Sequence, residues 1–248
     1  MGRTHEALER AEKDYLELMK TSPGPALGAP KGAVSRPVSS QNGREYYQTL
    51  KANLFTLHKD KTIRTIAFCA TAHGEGATTT ALYFAATLAK DFQSKVLVVD
   101  ANLRTPRLHD ICKIDLTPGL LDYVDRGKEI VVTLLWNEFT NLYVMPSGLS
   151  DCSPINLYFS NRFDEFLQEM RERFDYIILD GPPIPRFPEL RVMCTKVDGV
   201  ILVIKAGHTR RQVALRAKRE IEDAGGKILG VVINRRKYYI PEWIYKRL

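Results

Sequence analysis

Three segments of this 248-residue chain place residue types at spacings that suit phosphate chemistry. The first is Thr71-Ala72-His73-Gly74-Glu75-Gly76-Ala77-Thr78-Thr79, which follows an apolar run at 65–69 and precedes a helical pattern at 78–90. A glycine-rich turn that runs from a strand into a helix N-terminus presents backbone N–H groups and the positive end of the helix dipole to an anion. The Walker A form of such a loop ends in Gly-Lys-Ser/Thr, with the lysine on the β- and γ-phosphates and the hydroxyl on Mg2+. Here the glycine is Gly76 and the hydroxyl is Thr78, but Ala77 stands between them. The other two segments are four-residue apolar runs that each end in an acid: Val96-Leu97-Val98-Val99 before Asp100, and Tyr176-Ile177-Ile178-Leu179 before Asp180. A carboxylate at such a strand end can hold Mg2+, directly or through water, or accept a proton from a nucleophile. One such Asp is weak evidence, since Asp is common where strands become turns. Two beside a glycine-rich strand–helix turn point to a nucleotide site.

These residues need a scaffold that aligns strand ends. Apolar runs at 65–69, 95–99, 142–145, 176–179, 200–204 and 228–233 alternate with helical patterns at 78–90, 161–173, 189–196 and 209–224. Continuous apolar strands between helices predict an α/β fold with a doubly wound, mostly parallel sheet covered on both faces. Sheets of this kind place ligands at the carboxyl ends of their strands. Upstream, 44–58 is a further helix candidate, and 21–43 is rich in Pro, Gly, Ser and Ala and reads as a flexible linker. Residues 1–20 contain a helical pattern (Ala7, Leu8, Ala11, Tyr15, Leu16, Met19) that reads equally as a partner-binding helix on that tether or as a helix folded back on the domain. The expected organisation is therefore an N-terminal helix at 1–20, a linker at 21–43, an α/β domain at 44–234 and a basic, tyrosine-rich tail at 235–248.

Composition narrows the function classes. No apolar run approaches the roughly 20 residues that span a bilayer, and the first 20 residues lack a signal-peptide core, so a cytoplasmic protein is expected. The four cysteines have no metal-ligand or disulfide spacing and read as buried thiols. His5, His58, His109 and His208 also lack metal-ligand spacing, and Ser147 and Ser150 lack a nucleophile-elbow context. The net charge is +7, and residues 205–248 hold 12 Lys/Arg against 4 Asp/Glu. This excess suits an anionic membrane surface or an acidic partner, or is simply a solvated face. No nucleic-acid recognition motif accompanies it.

The chain resembles the bacterial tyrosine kinases of the BY-kinase family, P-loop proteins that accompany exopolysaccharide and capsule export. The three nucleotide motifs of that family, Walker A, A′ and B, correspond to 71–78, 97–104 and 177–180. The resemblance extends from about residue 41 to 234 and includes Arg104-Thr105-Pro106, Gly119-Leu120-Leu121-Asp122, Pro146-Ser147-Gly148, Asp180-Gly181-Pro182-Pro183 and Gly230-Val231-Val232-Ile233-Asn234. It implies a P-loop NTPase architecture of the ParA/MinD type and an ATP/ADP site with Mg2+. In that site the loop residues His73, Gly74, Glu75, Gly76, Ala77, Thr78 and Thr79 surround the nucleotide. Thr78, Asp100 and Asp180 are the implied metal ligands, and Asp100, Asn102, Arg104 and Asp180 the implied catalytic set. His73 also reads simply as a solvated loop residue. The ParA/MinD-type ATPases themselves fit less well, because their additional early loop lysine falls at Ala72.

Departures from the family pattern are as informative. The family has lysine where this chain has Ala77, and Asp-x-Asp where it has Asp100-Ala101-Asn102. Its Glu-x-x-Arg-x-x-Arg association helix reads Glu45, Gln48 and Lys51 here. The resemblance with these losses implies weakened Mg2+–nucleotide binding, impaired or lost kinase activity and a weakened homo-oligomer. It leaves a regulatory or partner role beside a membrane-embedded polysaccharide chain-length or export protein. An active autokinase needs a compensating cation, for which Arg104 is nearest by motif. The tail Arg235–Leu248 has three readings: phosphoacceptor tyrosines (Tyr238, Tyr239 and Tyr245), as the family implies; an interfacial anchor of aromatics and cations; or a segment that packs Trp243 and Ile244 on the domain.

Overall fold

A computed structural model describes residues 41–58, 63–91, 93–127, 132–134, 141–150, 153–184 and 188–236. The proposed N-terminal helix, the linker up to residue 40 and the tail from Lys237 onward lie outside the described residues. In chain order the elements are α1 (Gln41–Leu57), β1 (Thr65–Ala70), α2 (Ala77–Asp91), β2 (Val96–Asp100), α3 (Leu108–Cys112) and α4 (Leu120–Arg126). There follow β3 (Thr133–Leu134), β4 (Leu142–Met145), α5 (Pro154–Phe159), α6 (Asn161–Arg173), β5 (Tyr176–Asp180), α7 (Glu189–Lys196), β6 (Gly199–Lys205), α8 (Arg211–Asp223) and β7 (Ile228–Asn234).

The strands form one seven-stranded sheet in the order β3-β4-β2-β5-β1-β6-β7. Every neighbouring pair is parallel except β3–β4, which is antiparallel. All residues of β1 and β2 are buried, because helices cover both faces and no side chain of a central strand reaches water. One face packs Ile66, Phe68, Val96, Val98 and Ile178 against α1, α2 and α3. The opposite face packs Ala67, Leu97, Val99, Ile177 and Leu179 against α4 to α8. Side chains alternate along a strand, so Asp100 and Asp180, two residues beyond Val98 and Ile178, fall on the α2 face.

The predicted α/β architecture is the observed one. The six predicted strands and the helices at 161–173 and 189–196 occur within one residue of their expected ends. Three differences have physical causes. Helix α1 begins at Gln41, inside the stretch read as linker, because Gly43 suggests a loop locally while Leu50 and Leu54 pack on α2. Helix α8 begins at Arg211, not at 209, because Thr209 is held in the preceding loop: its Oγ1 accepts a hydrogen bond from the Lys205 N–H at 3.0 Å. The short α3, α4 and α5 and the two-residue β3 were not predicted, since five to seven residues carry too little periodicity. Cys69, Cys112 and Cys194 are buried free thiols, as expected. Among the described residues no helix is long and apolar enough to cross a membrane.

Candidate functional site

The sheet register assembles the site. Asp100 at the end of β2 pairs with Asp180 at the end of β5, and Asp180 lies beside Phe68 of β1, three residues before the loop begins at Thr71. Asp180 therefore sits between the glycine-rich loop and Asp100. Asp180 also lies within reach of the Thr78 side chain in the first turn of α2, where the helix dipole favours negative charge.

The loop is built around Glu75. Although Glu75 lies in a surface loop, only 2% of it is exposed. Its carboxylate accepts hydrogen bonds from the Thr71 N–H at 2.7 Å, the Ala72 N–H at 3.1 Å, the Thr71 hydroxyl and the Thr209 hydroxyl. Asn234, at the end of β7, donates from Nδ2 to the Glu75 carbonyl at 2.9 Å. Glu75 was expected at the nucleotide. Its side chain turns inward and ties the loop's own amides to the β6–α8 turn, so any contact of Glu75 with a nucleotide is through its backbone. His73 and Gly74 form the exposed apex, while Ala77, Thr78 and Thr79 open α2 half-buried. The third threonine, Thr80, spends its hydroxyl on the Gly76 carbonyl at 2.7 Å.

Gly74 and Gly76 have φ values of 81° and 95°, which L side chains adopt at a cost of roughly 1–2 kcal/mol. They differ in surroundings. A Cβ on Gly74 meets nothing within 4 Å, whereas one on Gly76 falls 2.2 Å from Asn234 Nδ2. Gly74→Ala is expected to cost only the backbone term, and Gly76→Ala to cost more because it also displaces the Asn234 clamp. Urea unfolding of the two variants measures this. Equal losses would show that the Asn234 contact contributes nothing.

The two acids are not equivalent. Asp100 is enclosed by backbone donors: Asn102 N–H reaches Oδ1 at 3.2 Å, and Arg107 and Leu108 N–H both reach Oδ2 at 2.9 Å. Burial pushes its pKa up to about 6, against the pull of those three N–H groups. Asp100 thus anchors the turn into α3. Both oxygens of Asp180 are buried and, among the described residues, make no hydrogen bond of ordinary geometry, although the Thr78 hydroxyl is near enough to favour the charged form. Burial first, and the Asp100 charge second, raise its pKa well above the usual carboxylate range, with the nearby Thr78 side chain opposing them. A buried carboxyl without a partner costs free energy unless it is protonated or meets a cation. Asp180 and the Thr78 hydroxyl are hard oxygen donors beside an amide-rich loop, so the residues present fit Mg2+ and a phosphate. Among the described residues no group of three or more His, Cys, Asp or Glu forms a separate metal cluster.

The other expected residues divide. Asn102 is buried and closes a turn with Thr105, donating from Nδ2 to its carbonyl at 3.1 Å. Arg104 is paired with Glu189, from Nε to Oε1 at 2.5 Å, and Glu189 is itself buried at the start of α7. That pairing directs the guanidinium to α7 and argues against Arg104 as the replacement for the missing lysine. Glu45 and Gln48 are exposed on α1, and Lys51 forms an ion pair with Asp91 of α2. Ser147 is buried with its hydroxyl on the Gly148 carbonyl, and Ser150 bonds Asp125. Tyr238, Tyr239 and Tyr245 lie outside the described residues. Sequence reasoning gave no role to Thr71, Thr209, Asn234 or Glu189. Asn234 carried a usable signal, because it ends its apolar strand as Asp100 and Asp180 end theirs.

Residues 63–212 match the family described as AAA domain. The chain is 30% identical over 192 residues to the tyrosine-protein kinase CpsD of Streptococcus agalactiae serotype III, which covers 77% of this chain and 82% of that protein. Its fold superposes on the kinase domain of Escherichia coli tyrosine kinase ETK with a TM-score of 0.75, covering 90% of this chain and 89% of that one at 22% identity. It also resembles the septum site-determining protein MinD from Pyrococcus horikoshii, solved with Mg-ADP, with a TM-score of 0.58 and 20% identity over 75% of this chain and 76% of that one. At these identities the two structures speak to the fold alone.

Proposed function

Because the chain belongs to the CpsD-like bacterial tyrosine kinase (BY-kinase) family, we propose that it is a nucleotide-binding member with impaired phosphoryl transfer, acting as a regulatory partner in capsule or exopolysaccharide export. One observation carries this reading: Asp180 offers two buried, unpartnered oxygens beside Thr78, while Ala77 supplies no charge beside them. The site keeps what holds a metal-bound nucleotide and lacks the cation that follows the transferred phosphate.

The geometry supports a role for each of these residues. The N–H groups at the start of α2 bind phosphate oxygens, and Glu75, Thr209 and Asn234 keep the loop in shape for them. Thr78 and Asp180 would hold the Mg2+, which would neutralise phosphate charge. Asp100, fixed by three N–H groups, stabilises the neighbouring turn and keeps a negative charge facing Asp180. Phosphoryl transfer depends chiefly on positioning and electrostatic stabilisation, so a site that binds without the lysine stabilises the ground state more than the transition state. The membrane component is an export protein that supplies the bilayer span, and this chain sits at the cytoplasmic face. The exposed Glu45 and Gln48 contribute to a weakened self-association surface.

Calorimetric titration with ATP and ADP, with and without Mg2+, tests the binding half. Micromolar, Mg2+-dependent affinity is expected, and absence of binding at millimolar nucleotide would refute it. Incubation with Mg2+–ATP tests the catalytic half. No phosphotyrosine is expected, and robust autophosphorylation would sink the impaired reading in favour of a working kinase.

A further inference from the structure

Strand β7 ends the sheet, and among the described residues no strand pairs with its outer edge; the His58 ring, with Nε2 3.3 Å from the Leu229 carbonyl, meets β7 only near its start. On the face that α7 and α8 cover elsewhere, Val231 and Ile233 are 50% and 61% exposed. Their register partners on β6, Leu202 and Ile204, belong to the core or pack against it. Val213, in the first turn of α8, adds an exposed apolar side chain at the same end of that layer. An open strand edge beside bare Val and Ile side chains invites pairing, and proteins ordinarily cover or charge such an edge.

The chain beyond β7 has the length and the side chains to supply that cover. Arg235 takes φ 55°, so the backbone turns out of the strand direction immediately after Asn234. Twelve residues, 237–248, remain, and they include Tyr238, Tyr239, Ile240, Trp243, Ile244 and Tyr245. Extended, they reach about 40 Å, whereas the seven residues of β7 span about 23 Å. The segment is long enough to run back along the whole edge. Pro241 suits an edge position, which needs no outward N–H. Lys246 and Arg247 would then arrive beside the end of α8, where Glu222 and Asp223 are exposed and the helix carbonyls add negative charge. A tethered segment also acts at an effective concentration in roughly the millimolar range, which a second copy or a free partner must exceed.

We propose that the outer edge of β7 is the docking strip for the chain's own C-terminal segment, residues 238–245, with Trp243 covering Val231 and Ile233, which share one face of the sheet. Docked this way, Tyr238, Tyr239 and Tyr245 are held against their own domain and withheld from a neighbouring chain or a membrane. This contact does not depend on what fills the phosphate loop.

Hydrogen exchange on the full chain, on Trp243→Ala and on Ile233→Ser tests it. In the full chain, amides of 228–236 are expected to exchange about tenfold more slowly than in either variant, since local protection follows the population of the open form. Trypsin is expected to cleave after Arg236 and Lys237 faster in Ile233→Ser. Exchange in α2 and β1 should stay unchanged, which separates undocking from unfolding. Exchange of 228–236 that is the same in the full chain and Trp243→Ala would overturn the proposal. So would protection that grows with protein concentration, because a second copy would then be the occupant.

Discussion

Ala77→Lys is expected to tighten Mg2+–ATP binding by about ten- to a hundredfold, since a hydrogen bond to a charged group contributes roughly 1.5–3 kcal/mol. The same substitution should turn on phosphotyrosine formation if the rest of the site is intact. Position 77 is the first residue of α2, directly before Thr78, and its side chain is half-buried on the apolar face of the sheet. A four-carbon stem has apolar surface to lie along, and its ammonium is expected to reach the phosphates held at the helix N-terminus. Without nucleotide the new charge meets the unpartnered Asp180 carboxylate, so the apo protein should also gain stability. Ala77→Met separates the two contributions, because it supplies the stem without the charge. Calorimetry and an anti-phosphotyrosine assay read the result. If the lysine variant folds and its affinity equals that of the methionine variant, the loop does not hold the β- and γ-phosphates, and the nucleotide reading falls.

The parts of the site visible in the sequence were those that local rules determine. Asp100 and Asp180 stood out because each ends a run of four apolar residues, and the parallel register then had to bring them together. Gly76 stood out because it holds the glycine position that precedes Lys-Ser/Thr in the Walker A pattern. The direction of the Glu75 side chain could not be read, since nothing in His-Gly-Glu-Gly says whether the carboxylate faces solvent or the loop amides. That depends on Thr209 arriving from 134 residues away. The Arg104–Glu189 pair, 85 residues apart in sequence, is of the same kind. By motif alone Arg104 was a cation near a phosphate, and only the packing of α7 shows where its guanidinium goes. The split between an enclosed Asp100 and a bare Asp180 was equally hidden. It arises from where α3 starts, and α3 is too short to announce itself.

Asp180→Asn is expected to stabilise the ligand-free protein increasingly as pH rises. The sign follows from the direction of the shifts. Asp100 is raised from 3.8 to about 6 and Asp180 well beyond the usual carboxylate range, both chiefly by burial, whereas in the unfolded chain both titrate near 4. The folded state therefore holds protons that the unfolded state releases, and stability is lost as pH rises from about 4 through the folded values. For Asp100 the loss is complete somewhat above pH 6. The loss from Asp180 continues beyond that, because the Asp100 charge opposes its ionisation. An amide at position 180 keeps the shape and cannot ionise. Thermal melts should show the variant close to the natural chain at pH 5 and above it at pH 8, by roughly 2–4 °C for each kcal/mol at this size. Mg2+–ADP should raise the melting temperature of the natural chain and leave the variant unmoved, since the carboxylate that costs stability is the one that holds the metal. A variant less stable than the natural chain at pH 8 would mean that Asp180 has a partner in solution. Its burial could not then be the cost that the bound metal relieves.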